Sequence, residues 1–141
     1  MRFMMLVIPK GYETAKPGTV PKAEDVAEMM KYNEALQKAG VLLALDGLHP
    51  PSMGARVAFE GGKRRVIDGP FAEAKEVVGG YWMIQVKSKE EAVEWALRCP
   101  DLGSDGVIEI RQVQEMGDFP SDVKEAMSGF DEMHQAARQK P

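Results

Sequence analysis

The sequence predicts an α+β domain whose elements run β-α-β-β-α-β, with a hairpin inserted and one more helix at the C-terminus. Three observations predict it. The runs Phe3 to Ile8 and Val41 to Leu45 are apolar at every position and read as strands of a sheet covered on both faces. Two segments with apolar residues at helical spacing lie between strand-like runs. The turn Glu60-Gly61-Gly62-Lys63 joins two short β-prone runs, which marks a hairpin.

The elements follow in order. Strand one is stopped by Pro9, and the stretch holding Gly11, Pro17, Gly18 and Pro21 carries too many turn formers for regular structure. From Lys22 to Ala39, the residues Val26, Met29, Met30 and Leu36 make an apolar stripe, while Glu24, Asp25, Glu28, Lys31 and Lys38 fill the other face of a first helix. Acidic residues in its first turns, Lys38 in its last and Gly40 as its stop suit the helix dipole. Strand two then breaks at Asp46, Gly47, His49, Pro50 and Pro51. Arg56 to Phe59 and Arg64 to Ile67 are the hairpin arms, closed off by Asp68, Gly69 and Pro70.

From Tyr81 to Lys87 a strand alternates, with Trp82, Ile84 and Val86 on one face and Tyr81, Met83 and Gln85 on the more polar one. Ser88 and Glu91 form a capping box, and Ala92, Val93, Ala96 and Leu97 give the buried stripe of a second helix ending at Cys99 and Pro100. Val107 to Val113 is the last core strand, with Ile108 and Ile110 opposed to Glu109 and Arg111. Past Gly117 and Pro120, Asp122 to Gln139 reads as one amphipathic helix striped by Val123, Met127, Phe130 and Met133, with Gly129 as a weak point.

This order describes a ferredoxin-like sheet with both helices on one face. Strands that are apolar on both sides then leave a broad uncovered surface, and a second copy of the sheet is its simplest cover. A homodimer is therefore expected, with about 800 Å² buried per partner as an ordinary interface. The sheet domain is expected over residues 1–116 and the helical extension over residues 117–141.

Composition bounds the function. The chain has 141 residues, of which 44% are hydrophobic, enough for one core without disulfides or metals. Its 18 Lys and Arg against 22 Asp and Glu leave a net charge of −4, with no basic stripe to neutralise phosphates, so no nucleic-acid partner is expected. No run reads as a signal peptide or a membrane span, and no membrane partner is expected. Cys99 is the single cysteine, which excludes an intrachain disulfide and points to a cytoplasmic setting. With neither His49 nor His134 near it in sequence, Cys99 reads as inert, and His134 as a solvated or interface residue.

The candidate site residues each carry two readings. Asp68 opens a D-G-P turn, where it serves as turn-maker, or as base or ligand anchor with Phe71 as an apolar wall and Glu73 and Lys75 nearby. Gly79 and Gly80 fit no phosphate loop and read as a bulge at strand entry or a close backbone approach. Tyr81 is a half-buried strand aromatic or a hydroxyl donor into a pocket. Glu109 and Arg111 share a strand face, forming a salt bridge or leaving Arg111 to hold an anionic substrate group. His49, three residues after Asp46, caps the strand end or acts as an acid or base oriented by that carboxylate. No third His or Cys has ligand spacing, so neither a metal nor another cofactor is expected.

The segment Asp68-Gly-Pro-Phe-Ala-Glu-Ala-Lys-Glu-Val-Val-Gly-Gly-Tyr81 closely resembles the signature of the YCII-related proteins, in their DGPF-type branch. The resemblance extends to the Arg2 to Ile8 strand, to Ala39-Gly40-Val41-Leu42 leading into Asp46-Gly47-Leu48, to the Glu90 to Ala96 helix and to Glu109-Ile110-Arg111. Only the C-terminal helix lies outside it. It implies a dimeric α/β-barrel in which two ferredoxin-like sheets pack face to face. Members of the family are mostly uncharacterised, some relatives are small-molecule enzymes, and many DGPF-type genes lie beside extracytoplasmic-function sigma factors. One branch pairs a His on the first helix with an Asp; this sequence has no His between Lys22 and Ala39, so that dyad does not carry over. Asn33 lies close to the stripe of that helix instead, placed to hydrogen-bond the sheet edge.

The expected function is a small-molecule enzyme or binding protein, with cofactor-free acid/base chemistry in a pocket at the polar sheet face and the D-G-P loop, shared by two subunits. Asp68 or His49 would move the proton, and Arg111, with Glu109, Tyr81, Phe71 and Lys75, would hold a small anionic or phenolic ligand. The alternatives are a non-catalytic partner in a sigma-factor circuit, docking through the C-terminal helix, and a structural dimer without a ligand.

Overall fold

The computed structural model describes residues 1–101 and 105–139. In chain order the elements are β1 (Arg2–Ile8), α1 (Ala23–Lys38), β2 (Leu42–Gly47), β3 (Ala55–Glu60), β4 (Lys63–Asp68), β5 (Gly80–Gln85), α2 (Lys89–Leu97), β6 (Val107–Gln112), α3 (Ser121–Ala126) and α4 (Phe130–Arg138). Four strands form an antiparallel sheet in the order β2-β5-β1-β6. With α1 and α2 between its strands in sequence, this mixed α+β arrangement is consistent with a ferredoxin-like fold.

Register decides which side chains meet the helices. Met5 lies opposite Trp82 and Ile110, and Leu6 opposite Tyr81 and Glu109. Alternation sends Phe3, Met5, Trp82 and Ile84 to the helix side, where they are buried with Tyr32 and Leu36 of α1 and Ala92 and Trp95 of α2. Phe3, Met5, Leu36 and Ile84 are each at most 1% exposed, and burying such a side chain stabilises by about 1.5–3 kcal/mol. Met4, Leu6, Ile8, Tyr81 and Met83 face the opposite side and are only half-buried.

Both helices bury part of the stripe their hydropathy suggests, Met29 and Leu36 in α1 and Ala92 and Ala96 in α2, but each is rolled away from the rest of it. In α1, Val26 and Met30 are 42% and 50% exposed, while Tyr32 is buried. Tyr32 is the anchor: its hydroxyl donates to the Trp95 carbonyl at 2.7 Å and its ring meets Trp82 edge-on at 5.2 Å. Seating that bulk rolls the helix, so Asp25, placed on the wet face by sequence, becomes half-buried. In α2, Trp95 is buried and Val93 and Leu97 are exposed. Of the expected capping box the Ser88 half forms, the Glu91 N–H donating to the Ser88 hydroxyl at 3.1 Å, while the Glu91 carboxylate accepts from the Lys87 N–H at 2.9 Å instead of from Ser88.

The C-terminal segment is two helices rather than one. Gly129 adopts a φ of +90°, a left-handed conformation that interrupts the helix between α3 and α4. The hairpin β3–β4 is a separate two-stranded sheet whose Val57, Phe59 and Val66 are 54%, 72% and 68% exposed. Its far end is pinned by Gly69, whose N–H donates to the Gly54 carbonyl at 2.9 Å. A Cβ at that position would lie 1.6 Å from the Pro51 carbonyl oxygen, so only glycine fits the D-G-P turn here.

Candidate functional site

One end of the sheet opens into a cleft of about 800 Å³. Strand ends supply its floor, with Val7 of β1, Leu45 and Asp46 of β2, Tyr81 and Trp82 of β5 and Ile108 of β6; α1 forms one wall, and the loop holding Tyr12 another. The rolled helix presents Asp25, Met29 and Asn33 along one row, spaced four residues apart. Asn33 accepts a hydrogen bond from the Trp82 indole N–H at 2.8 Å, which satisfies a donor on an interior strand and fixes the indole as a cleft wall.

A bulge on β2 sets the polar edge. The register shifts between Leu42 and Ala44, so Asp46 comes to lie opposite Tyr81. The Tyr81 hydroxyl donates to Asp46 Oδ2 at 2.7 Å. That bond to a carboxylate, reinforced by burial and by the negative charge, pushes the Tyr81 ionisation up, and the phenol remains a proton donor at neutral pH. Asp25 faces the cleft with no hydrogen-bond or ion-pair partner among the described residues. Cys99 also lines it, half-buried, with its thiol pushed up by burial and its Sγ 3.7 Å from the Pro100 carbonyl oxygen. Such a thiol is a poor nucleophile.

The residues singled out by sequence divide among three places. His49 and Tyr81 reach the cleft together, though the carboxylate of Asp46 is engaged by Tyr81 and not by His49. Glu109 and Arg111 sit on the half-buried sheet face, 3.9 Å apart and 48% and 72% exposed, outside the cleft lining. Asp68, Phe71 and Lys75 lie at the hairpin's end and beyond it, also outside the lining. Phe71 there lies under the Arg56 guanidinium, 3.9 Å from the ring centre. No group of three or more potential metal ligands occurs among the described residues.

Sequence reasoning missed Asp25, Trp82 and Tyr12 as cleft residues. The available signal was the size of Tyr32: if that ring must be buried, Asp25 and Asn33 turn inward with it.

The opposite end of the sheet is built differently. There Arg2 donates through Nε and Nη2 to both oxygens of Glu115, at 2.9 and 3.1 Å, and its Nη1 lies 3.3 Å from His134 Nε2 of α4. The Arg2 hydrogen bonds hold the Glu115 carboxyl below its ordinary value.

Comparison with known proteins agrees with this fold. The chain is 32% identical to an uncharacterized protein, R00369, of Rhizobium meliloti (strain 1021), an alignment covering 71% of this chain and 86% of that one. Residues 1–117 match the model of the YCII-related domain, spanning both helices, the hairpin and the whole cleft, and the chain belongs to that family.

Proposed function

We propose that the chain is a small-molecule-binding protein of the DGPF-type branch, working as a homodimer, whose cleft supports cofactor-free acid/base chemistry. The observation that carries this reading is that Asp25 and Asn33 on the helix side of the sheet and Asp46, His49 and Tyr81 around the ends of β2 and β5 line one cleft of about 800 Å³ with apolar walls, a size and lining usual for ligand sites. In it the Asp46 carboxylate is the proton acceptor, Tyr81 the hydroxyl donor beside it, and His49 an imidazole at the rim. Dimerisation through the half-buried sheet face, as a dimeric α/β-barrel, is supported by the apolar Met4, Leu6, Ile8 and Met83 on the side away from α1 and α2.

The test is a fragment library of mixed charge screened by amide chemical shifts on the full chain, against wild type and Leu48→Trp, which puts an indole into the exposed rim. Binding that perturbs cleft amides and is lost in the variant supports the reading. Shifts confined to Asp68, Phe71 and Arg111, or no binding at all, would refute it.

A second reading rests on Val123, Phe130 and Met133, which are 37%, 46% and 70% exposed on the C-terminal helices. It makes the chain a regulatory partner in a sigma-factor circuit that docks through α3 and α4. Deleting residues from Ser121 onward removes that surface, and partner binding that survived the deletion would end this reading.

A further inference from the structure

Resting on the reading of the cleft as a ligand site, we infer that its ligand is an organic cation: an amine on an apolar body, anchored by Asp25. Two independent observations meet here. The first is the sign of the lining: among the described residues it holds the carboxylates of Asp25 and Asp46 beside the His49 imidazole, and neither Lys nor Arg. Arg111, on which an anionic ligand was expected, lies outside it.

The second is the placement of Asp25. The helix leaves Val26 and Met30 in solvent while turning a carboxylate toward an apolar cleft, against its own hydropathy. Asp46 spends its charge on the Tyr81 hydroxyl, whereas Asp25 has no partner among the described residues. The helix dipole favours a carboxylate in the first turn of α1, but it leaves the half-buried Asp25 oxygens without a hydrogen-bond donor among the described residues. An ammonium group seated against them supplies both the missing donor and the opposite charge, and the Trp82 and Met29 walls accept the apolar remainder.

The experiment titrates the full chain with three isosteric probes, 2-phenylethylamine, 2-phenylethanol and phenylacetate, followed by amide shifts at low ionic strength. The amine is expected to bind the cleft about tenfold or more tightly than the alcohol, and the acid more weakly than either. Asp25→Asn is expected to erase the amine's advantage and leave the alcohol unchanged, while Asp25→Glu retains part of it. Phenylacetate binding as tightly as the amine, or an advantage that survives Asp25→Asn, would overturn the inference. If other fragments occupy the cleft while the amine does not, the inference falls and the ligand site stands; if nothing occupies it, both fall.

Discussion

The two ends of the sheet each place a carboxylate in the lining of a cavity and treat it in opposite ways. At the Arg2 end the central polar groups pair with one another: Arg2 holds Glu115 with two hydrogen bonds and touches His134. At the Asp25 end Tyr81 pairs with Asp46, Trp82 with Asn33 and the Tyr12 hydroxyl with the Leu48 carbonyl, while Asp25 faces the cleft without a hydrogen-bond or ion-pair partner among the described residues. Self-satisfied polar groups do structural work, whereas groups aimed at a common void are available to something else. The two cavities measure about 790 and 800 Å³, so size does not separate them; the Arg2–Glu115 ion pair, against an Asp25 without one, does.

Substitutions can sharpen that contrast. The largest effect is expected at the D-G-P turn, outside the cleft lining: Gly69→Ala drives a Cβ into the Pro51 backbone and should cost about 3 kcal/mol, the upper part of the overpacking range. Denaturant unfolding measures it. Asn33→Leu strands the Trp82 indole N–H in the cleft wall and should cost about 1–3 kcal/mol, with a change in Trp fluorescence. At the other end, Arg2→Met removes the Glu115 bonds and should cost about 1 kcal/mol, since Glu115 is 44% exposed and water screens the pair.

The pH dependence comes next. Because Arg2 lowers the Glu115 ionisation, the pair stabilises the fold fully above the ordinary carboxylate range and is lost as pH falls through the depressed folded value. That loss, under about 1 kcal/mol for so exposed a carboxylate, should vanish from the acid unfolding curve of Arg2→Met. The smallest effect is expected at Asp25. Asp25→Asn should leave stability within about 0.5 kcal/mol of wild type, because the charge it deletes pairs with nothing but the helix dipole. A large loss there would erase the difference between the two ends.

Much of the fold was legible in advance. The six strands, the first two helices, the Ser88 cap and the hairpin turn all follow from runs, periods and turn residues that act locally. The candidate site was legible only in part, for His49 and Tyr81 reach the cleft while Asp68 and Arg111 lie elsewhere. Proximity in sequence to a loop or strand end does not say which strand ends meet.

By itself, then, the sequence determined the order and type of the elements and the apolar strands, because each depends on neighbours a few residues away. Tertiary structure decided the roll of α1, the break at Gly129 and the bulge that sets Asp46 against Tyr81. Each of these was a competition between local preference and packing. Tyr32 shows how packing won: burying one large ring against Trp82 outweighed keeping Val26 and Met30 dry, and the same roll turned Asp25 toward the cleft.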